Sequence, residues 1–128
     1  MGPLNAIAVW NRATCGESPE KLARGDKALR GMLCAHGLIM NSGVFHAMEV
    51  LDEERLKDAV AGYQFFGLAS VSDLLAKAQE LLRSADDVDA QESLLDSEYE
   101  HIVPDDSFLF SVFERHYNAR PSDFAGAK

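Results

Sequence analysis

From Ser84 to Glu114 the chain has no lysine and no arginine, a gap of 31 residues in a sequence that holds 12 such residues in all. No basic groove for nucleic acid can be built there, and the net charge of -9 argues against DNA, RNA or an anionic membrane as a direct ligand. Cysteine is equally scarce. Cys15 and Cys34 are the two, with no C-x-x-C between them, so no disulfide framework and no zinc site are expected and a reduced, cytoplasmic setting fits best. Long apolar runs are missing too. The longest stretch without Asp, Glu, Lys or Arg, Gly31 to Met48, contains Gly31, His36, Gly37, Asn41, Ser42, Gly43 and His46, which excludes it as a membrane span. No basic residue precedes Arg12, so no secretory signal is expected. Ala6 stands where myristoylation requires Ser or Thr.

The chemical motifs are absent as well. There is no G-x-x-x-x-G-K loop, no G-x-S-x-G turn and no H-E-x-x-H. His36, His46, His101 and His116 show no metal-like pairing, and each is read as a structural or surface residue. No catalytic residue, metal or cofactor is expected.

Helical periodicity is what remains, over nearly the whole chain. With 128 residues, 47% of them hydrophobic, the composition fits a single domain, residues 1–128, folded as an all-α bundle of about six to seven helices without strands. Leu4, Ile7, Ala8 and Trp10 mark a first helix behind Pro3. Ser18-Pro19-Glu20 has the cap, proline and acid of a helix start, and Leu22, Leu29, Met32, Leu33, Ile39 and Met40 continue toward Asn41. Gly25 and Gly31 each cost about 1 kcal/mol against alanine, which allows a break near Gly25-Asp26. Asp52-Glu53-Glu54 opens a helix through Leu56, Ala59, Val60 and Tyr63 that Gly67 ends. Ser70 is placed as the cap of the next, with Val71, Leu74, Leu75, Ala78 and Leu82 inward. Val88, Leu95, Tyr99 and Ile102 predict an acidic helix stopped by Pro104, and Asp106 or Ser107 is placed as the cap of the last, which carries Phe108, Leu109, Val112, Phe113 and Tyr117.

Asn41-Ser42-Gly43 falls between two apolar helix patterns, the second running Val44-Phe45-Met48-Leu51. It is read as a helix-to-helix corner, Gly43 at positive φ and Asn41 or Ser42 capping, buried at both ends and packed on the final aromatic helix.

Charge is the strongest signal. The 31 residues without Lys or Arg hold ten acids, among them Asp86, Asp87, Asp89, Glu92, Asp96, Glu98, Glu100, Asp105 and Asp106. Drawn as one helix they would place a charge every ~4.6 Å, against about 3.4 Å per phosphate along one DNA strand. A surface that only solubilises usually mixes its signs. The segment is therefore the expected partner surface, with solvated caps and turns as the alternative.

Asn41-Ser42-Gly43-Val44-Phe45, Phe65-Phe66-Gly67-Leu68, Leu95-Asp96-Ser97-Glu98-Tyr99 and the closing FLFSVFERHYNARPSDF are short segments through which about residues 30 to 124 resemble the DNA mimic protein 19-like family of small bacterial helical proteins. Asn41-Ser42-Gly43-Val44-Phe45 is similar to the family's N-G-G-F corner, although Ser42 and the extra Val44 depart from the double glycine. Phe65-Phe66-Gly67-Leu68 with Val71 to Leu82, the stretch Leu95-Asp96-Ser97-Glu98-Tyr99, and the closing segment with Tyr117, Asn118 and Phe124 carry the rest. The resemblance implies an all-helical fold, a homodimer, no catalytic residues and an acidic surface that occupies the DNA-binding site of a basic protein; a basic toxin is the other partner considered. An immunity protein against a basic nuclease, or a small hydrolase with a carboxylate or His site, are the alternatives.

Overall fold

The computed structural model describes residues 6–14, 23–84 and 88–125, without the side chains of residues 12, 14, 88 and 89. Among them lie seven α-helices, no strand and one closing 3-10 turn at Pro121–Asp123: α1 (Ala6–Thr14), α2 (Arg24–Ser42), α3 (Val44–Val50), α4 (Glu53–Phe65), α5 (Ala69–Ser84), α6 (Val88–Ile102) and α7 (Asp106–Ala119). The fold is the all-α bundle that periodicity predicts. Pro3, Leu4, Cys15, the start at Ser18-Pro19 and Leu22 lie outside the described residues.

Helix α2 is the spine, burying Ala28, Leu29, Met32, Ala35 and Ile39 at helical spacing. It runs antiparallel to α4 in near backbone contact. A Cβ on Gly62 would lie 2.3 Å from the Ala28 carbonyl oxygen, and one on Gly31 would lie 2.6 Å from the carbonyl oxygen of Asp58. Neither separation admits a side chain. Gly31 is thus no weak point, because its helix cost is offset by the contact it permits, and α2 passes unbroken through both Gly25 and Gly31.

Gly43 does take positive φ, +94°, but the corner differs from expectation in three ways. Phe45 is buried, whereas Asn41 and Ser42 are exposed in the last turn of α2 and hydrogen-bond each other at 3.0 Å. Neither caps α3. That cap comes from α6, where Asp96 Oδ1 accepts the Val44 N–H at 2.9 Å. The corner therefore lies against α6 and not the final helix; Asp96 also occupies the space a side chain at position 43 would need, its Oδ2 3.0 Å from the Cβ site. Two other caps shift. Helix α5 begins at Ala69, which puts Ser70 inside its first turn, and α7 is capped by Asp105, which accepts from Phe108 N–H at 2.9 Å. Asp52 caps α4 as expected, accepting from Arg55 N–H at 2.8 Å.

Residues 123 to 125 return to the start of α2. Asp26 Oδ2 accepts from Ala23 N–H at 3.1 Å and from Ala125 N–H at 2.7 Å. Asp123 accepts from Arg24 Nε at 3.0 Å and pairs with His116 Nε2 at 2.8 Å. Beneath this clasp, Phe124 packs edge-on against Phe113 at 5.4 Å between centroids. The His116 hydrogen bond, aided by Arg24, holds the Asp123 carboxyl below its ordinary range against the opposing effect of burial.

Gly62→Ala should lose about 1 to 3 kcal/mol in chemical unfolding although alanine is the better helix former, since the two helices must part. Gly37→Ala, where an added Cβ meets nothing within 4 Å, should gain up to about 1 kcal/mol. Equal effects of the two changes would refute the packing argument.

Because the folded-state pKa of Asp123 is depressed, its stabilisation is present above the ordinary carboxyl value and fades as pH falls through the folded value. The stability gap between the native chain and Asp123→Asn should therefore be widest near neutrality and close below about pH 4. A gap independent of pH from neutral to acid would contradict it.

Candidate functional site

Burial of Leu95 and Tyr99, followed by Val103, fixes how α6 faces the core. Glu92, Asp96 and Glu100 then fall at i, i+4 and i+8 along one flank, while Glu98 lies on the other, 3.6 Å from Lys77 Nζ of α5. Glu92, Glu98, Glu100, Asp105 and Asp106 are exposed, and Asp96 is half-buried. Leu94, 62% exposed, stands on the outer face. Asp86 and Asp87 lie outside the described residues, and Asp89 is in the first turn of α6 with its side chain not described.

Three of these acids are also structural: Asp96 caps α3, Asp105 caps α7, and Asp106 ends a hydrogen-bonded chain into the core. Asp106, whose side chain is 80% exposed, places Oδ1 2.6 Å from His36 Nε2. The other ring nitrogen of His36 lies 2.7 Å from Tyr99 Oη, and Tyr99 Oη lies 2.7 Å from Tyr63 Oη. His36, Tyr99 and Tyr63 are all buried. The carboxylate end sets the direction. Asp106 only accepts, so Nε2 donates to it; Nδ1 on the other side accepts from Tyr99 O–H, whose oxygen accepts from Tyr63 O–H. Run in reverse, the chain would leave the Tyr63 proton buried without an acceptor among the described residues. Burial pushes both phenols well above their ordinary range, so neither ionises near neutrality.

Sequence reasoning missed this chain. His36, Tyr63 and Tyr99 each sit on an inward stripe, and a polar atom there needs a partner. That is the signal the sequence offers, although it names no partner.

Beside His36 and Asp106 opens a cleft of about 900 Å³, lined from α1, α2, α4 and α7 by residues that include Trp10, Leu33, Cys34, Gly37 and Met40 and the bases Lys27, Arg30 and Arg55. Among the described residues no group of three or more His, Cys, Asp or Glu could hold a metal ion, and no helix is long and apolar enough to cross a membrane. Comparison with protein-family models, curated proteins and solved structures finds no match to the chain.

Tyr99→Phe strands both His36 Nδ1 and the Tyr63 hydroxyl and should lose on the order of 3 kcal/mol in urea unfolding, whereas Tyr63→Phe removes one bond at the chain's end and should lose about 1 kcal/mol. Nitrogen NMR should find the His36 proton on Nε2. A proton on Nδ1, or Tyr63→Phe being the costlier change, would show the direction to be wrong.

Proposed function

We propose that this chain is a non-catalytic, acidic helical protein of the cytoplasm that binds a basic protein through α6 and the turn after it, as a DNA-mimic-like regulator or inhibitor of a nucleic-acid-binding protein. The observation that carries the reading is the grouping of exposed Glu92, Glu98, Glu100, Asp105 and Asp106 within a stretch that has no Lys or Arg. Lys77 from α5 reaches Glu98. Carboxylates four residues apart on a helix are spaced about 6 Å along its axis, and held on a rigid element they accept charge-assisted hydrogen bonds from guanidinium and ammonium groups. Such a surface steers a basic partner from a distance, an effect that salt suppresses. The resemblance of residues 30 to 124 to the DNA mimic protein 19-like family supports the same reading and adds homodimerisation to it.

At His36, the histidine on the cleft, both ring nitrogens are engaged, which leaves none to take a proton from a bound water and disfavours hydrolysis there.

The test is a triple variant, Glu92→Gln, Glu98→Gln and Glu100→Gln, with Asp96, Asp105 and Asp106 kept for their structural contacts. Exposed acids add little to stability, so the melting temperature should hold. Affinity for a basic partner captured from native lysate at low salt should fall by roughly tenfold or more, about 1.4 kcal/mol, with a shallower salt dependence, and the captured protein's own binding to DNA should compete. Unchanged affinity in the triple variant would sink the proposal. A captured basic toxin in place of a DNA-binding protein would retain the surface and change the regulator into an immunity protein.

A further inference from the structure

We propose that the partner-binding face of α6 is built around an apolar anchor, Leu94, and that the basic partner presents an apolar pocket beside its Lys and Arg side chains. The inference rests on the reading of α6 as the partner surface and specifies the chemistry of that partner.

Helical spacing of about 100° per residue sorts the outward side of α6 into three rows. Asp96 and Glu100 lie along one border, with Glu92 before them at the same four-residue spacing. Ser93 and Ser97, both exposed and small, form the crest. Leu94 and His101 lie along the other border with Glu98, which Lys77 Nζ of α5 meets at 3.6 Å. Charge is thus concentrated on the first border. On the second, the acid is matched within the chain and a large apolar side chain stands one turn before it. The small crest lets a facing surface come close enough to touch both borders.

Leu94 is 62% exposed, the most of any large apolar side chain described; Ile7, Met40 and Val50, the others, lie on α1, α3 and the end of α2. It does not serve the core, which α6 meets through Leu95 and Tyr99. The neighbouring helix widens the patch. With Lys77 opposite Glu98, the antiparallel run of α5 and α6 brings Leu81, one turn after Lys77 and only partly buried, level with Leu94. A lone exposed leucine on a mixed surface is ordinary. One that shares a helix face with a row of exposed acids has the layout of a protein-binding hot spot, an apolar side chain that fills a pocket inside a ring of polar contacts. A partner that only neutralised the carboxylates would leave Leu94 in water.

Two fluorescent probes of equal charge separate the anchor from the acids: oligolysine, and a helical peptide with the same number of lysines and a row of leucines. Measured by anisotropy, the leucine-bearing peptide should bind the native chain roughly tenfold or more tighter than oligolysine, the effect of burying a leucine-sized apolar group. Leu94→Gln, a change at an exposed position, should keep the circular dichroism spectrum and the affinity for oligolysine while removing that advantage. The triple variant Glu92→Gln, Glu98→Gln and Glu100→Gln should weaken both peptides. The anchor is overturned if the native chain binds the two peptides equally, or if folded Leu94→Gln keeps the native affinity for the leucine-bearing one; the acidic surface stands in either case provided the triple variant weakens oligolysine. If oligolysine fails to bind, or binds the triple variant as tightly as the native chain, the acidic reading falls and the anchor falls with it.

Discussion

The near contact between the backbones of α2 and α4 governs the rest of the molecule. Ala28, Gly31 and Met32 on one helix meet Asp58, Ala59 and Gly62 on the other at separations that only glycine allows. Close-packed interiors respond to the addition of a single carbon, and here the would-be neighbours are backbone atoms that cannot rotate aside. The register of α2 against α4 is therefore set to within a residue. Two placements follow. Tyr63, next to Gly62, is delivered to Tyr99, and His36, a turn beyond Met32, is delivered to the other side of the same hydroxyl.

The chain of Tyr63, Tyr99, His36 and Asp106 binds α4, α6, α2 and α7 through hydrogen bonds whose donors and acceptors are matched in order. A polar network of this kind discriminates between packings, because any rearrangement leaves a proton or a lone pair buried without a partner. It also divides the acids into two kinds. Asp96, Asp105 and Asp106 hold helices in place while showing part of their charge to solvent. Glu92, Glu98 and Glu100 project from α6, and the one described ion pair among them is that between Glu98 and Lys77. Uniform in sequence, the acidic stretch is heterogeneous in structure, and that decides which substitutions report on binding and which on folding.

The helices were legible because burial repeats at 3.6 residues, and Gly43 and Gly67 were legible because positive φ favours glycine wherever it occurs. What escaped were relations between distant positions. The cap of α3 comes from 52 residues away, and His36 meets partners 63 and 70 residues away; local pattern holds no record of either. Asn41 and Ser42 have the chemistry of caps, yet Asp96 satisfies the amide they were expected to reach. Gly31 reads as a defect in its own helix and becomes a requirement only once the second helix is present. The acidic segment was legible as charge, but its sorting into anchors and free carboxylates depended on which neighbours folding supplies.

The clasp at the start of α2 bears on when the molecule becomes whole. Asp26 accepts from Ala125, and Arg24 holds Asp123, across 99 residues in each case. Closing a loop of that length in a flexible chain costs on the order of 4 kcal/mol of entropy, so the clasp forms only after the intervening helices have shortened the path. During synthesis the spine helix leaves the ribosome early, with its first turn lacking the partner that completes it. The clasp is thus a late contact in folding, and a chain cut before Pro121 would lack what Asp123 and Ala125 supply to Arg24 and Asp26 at that end of its central helix.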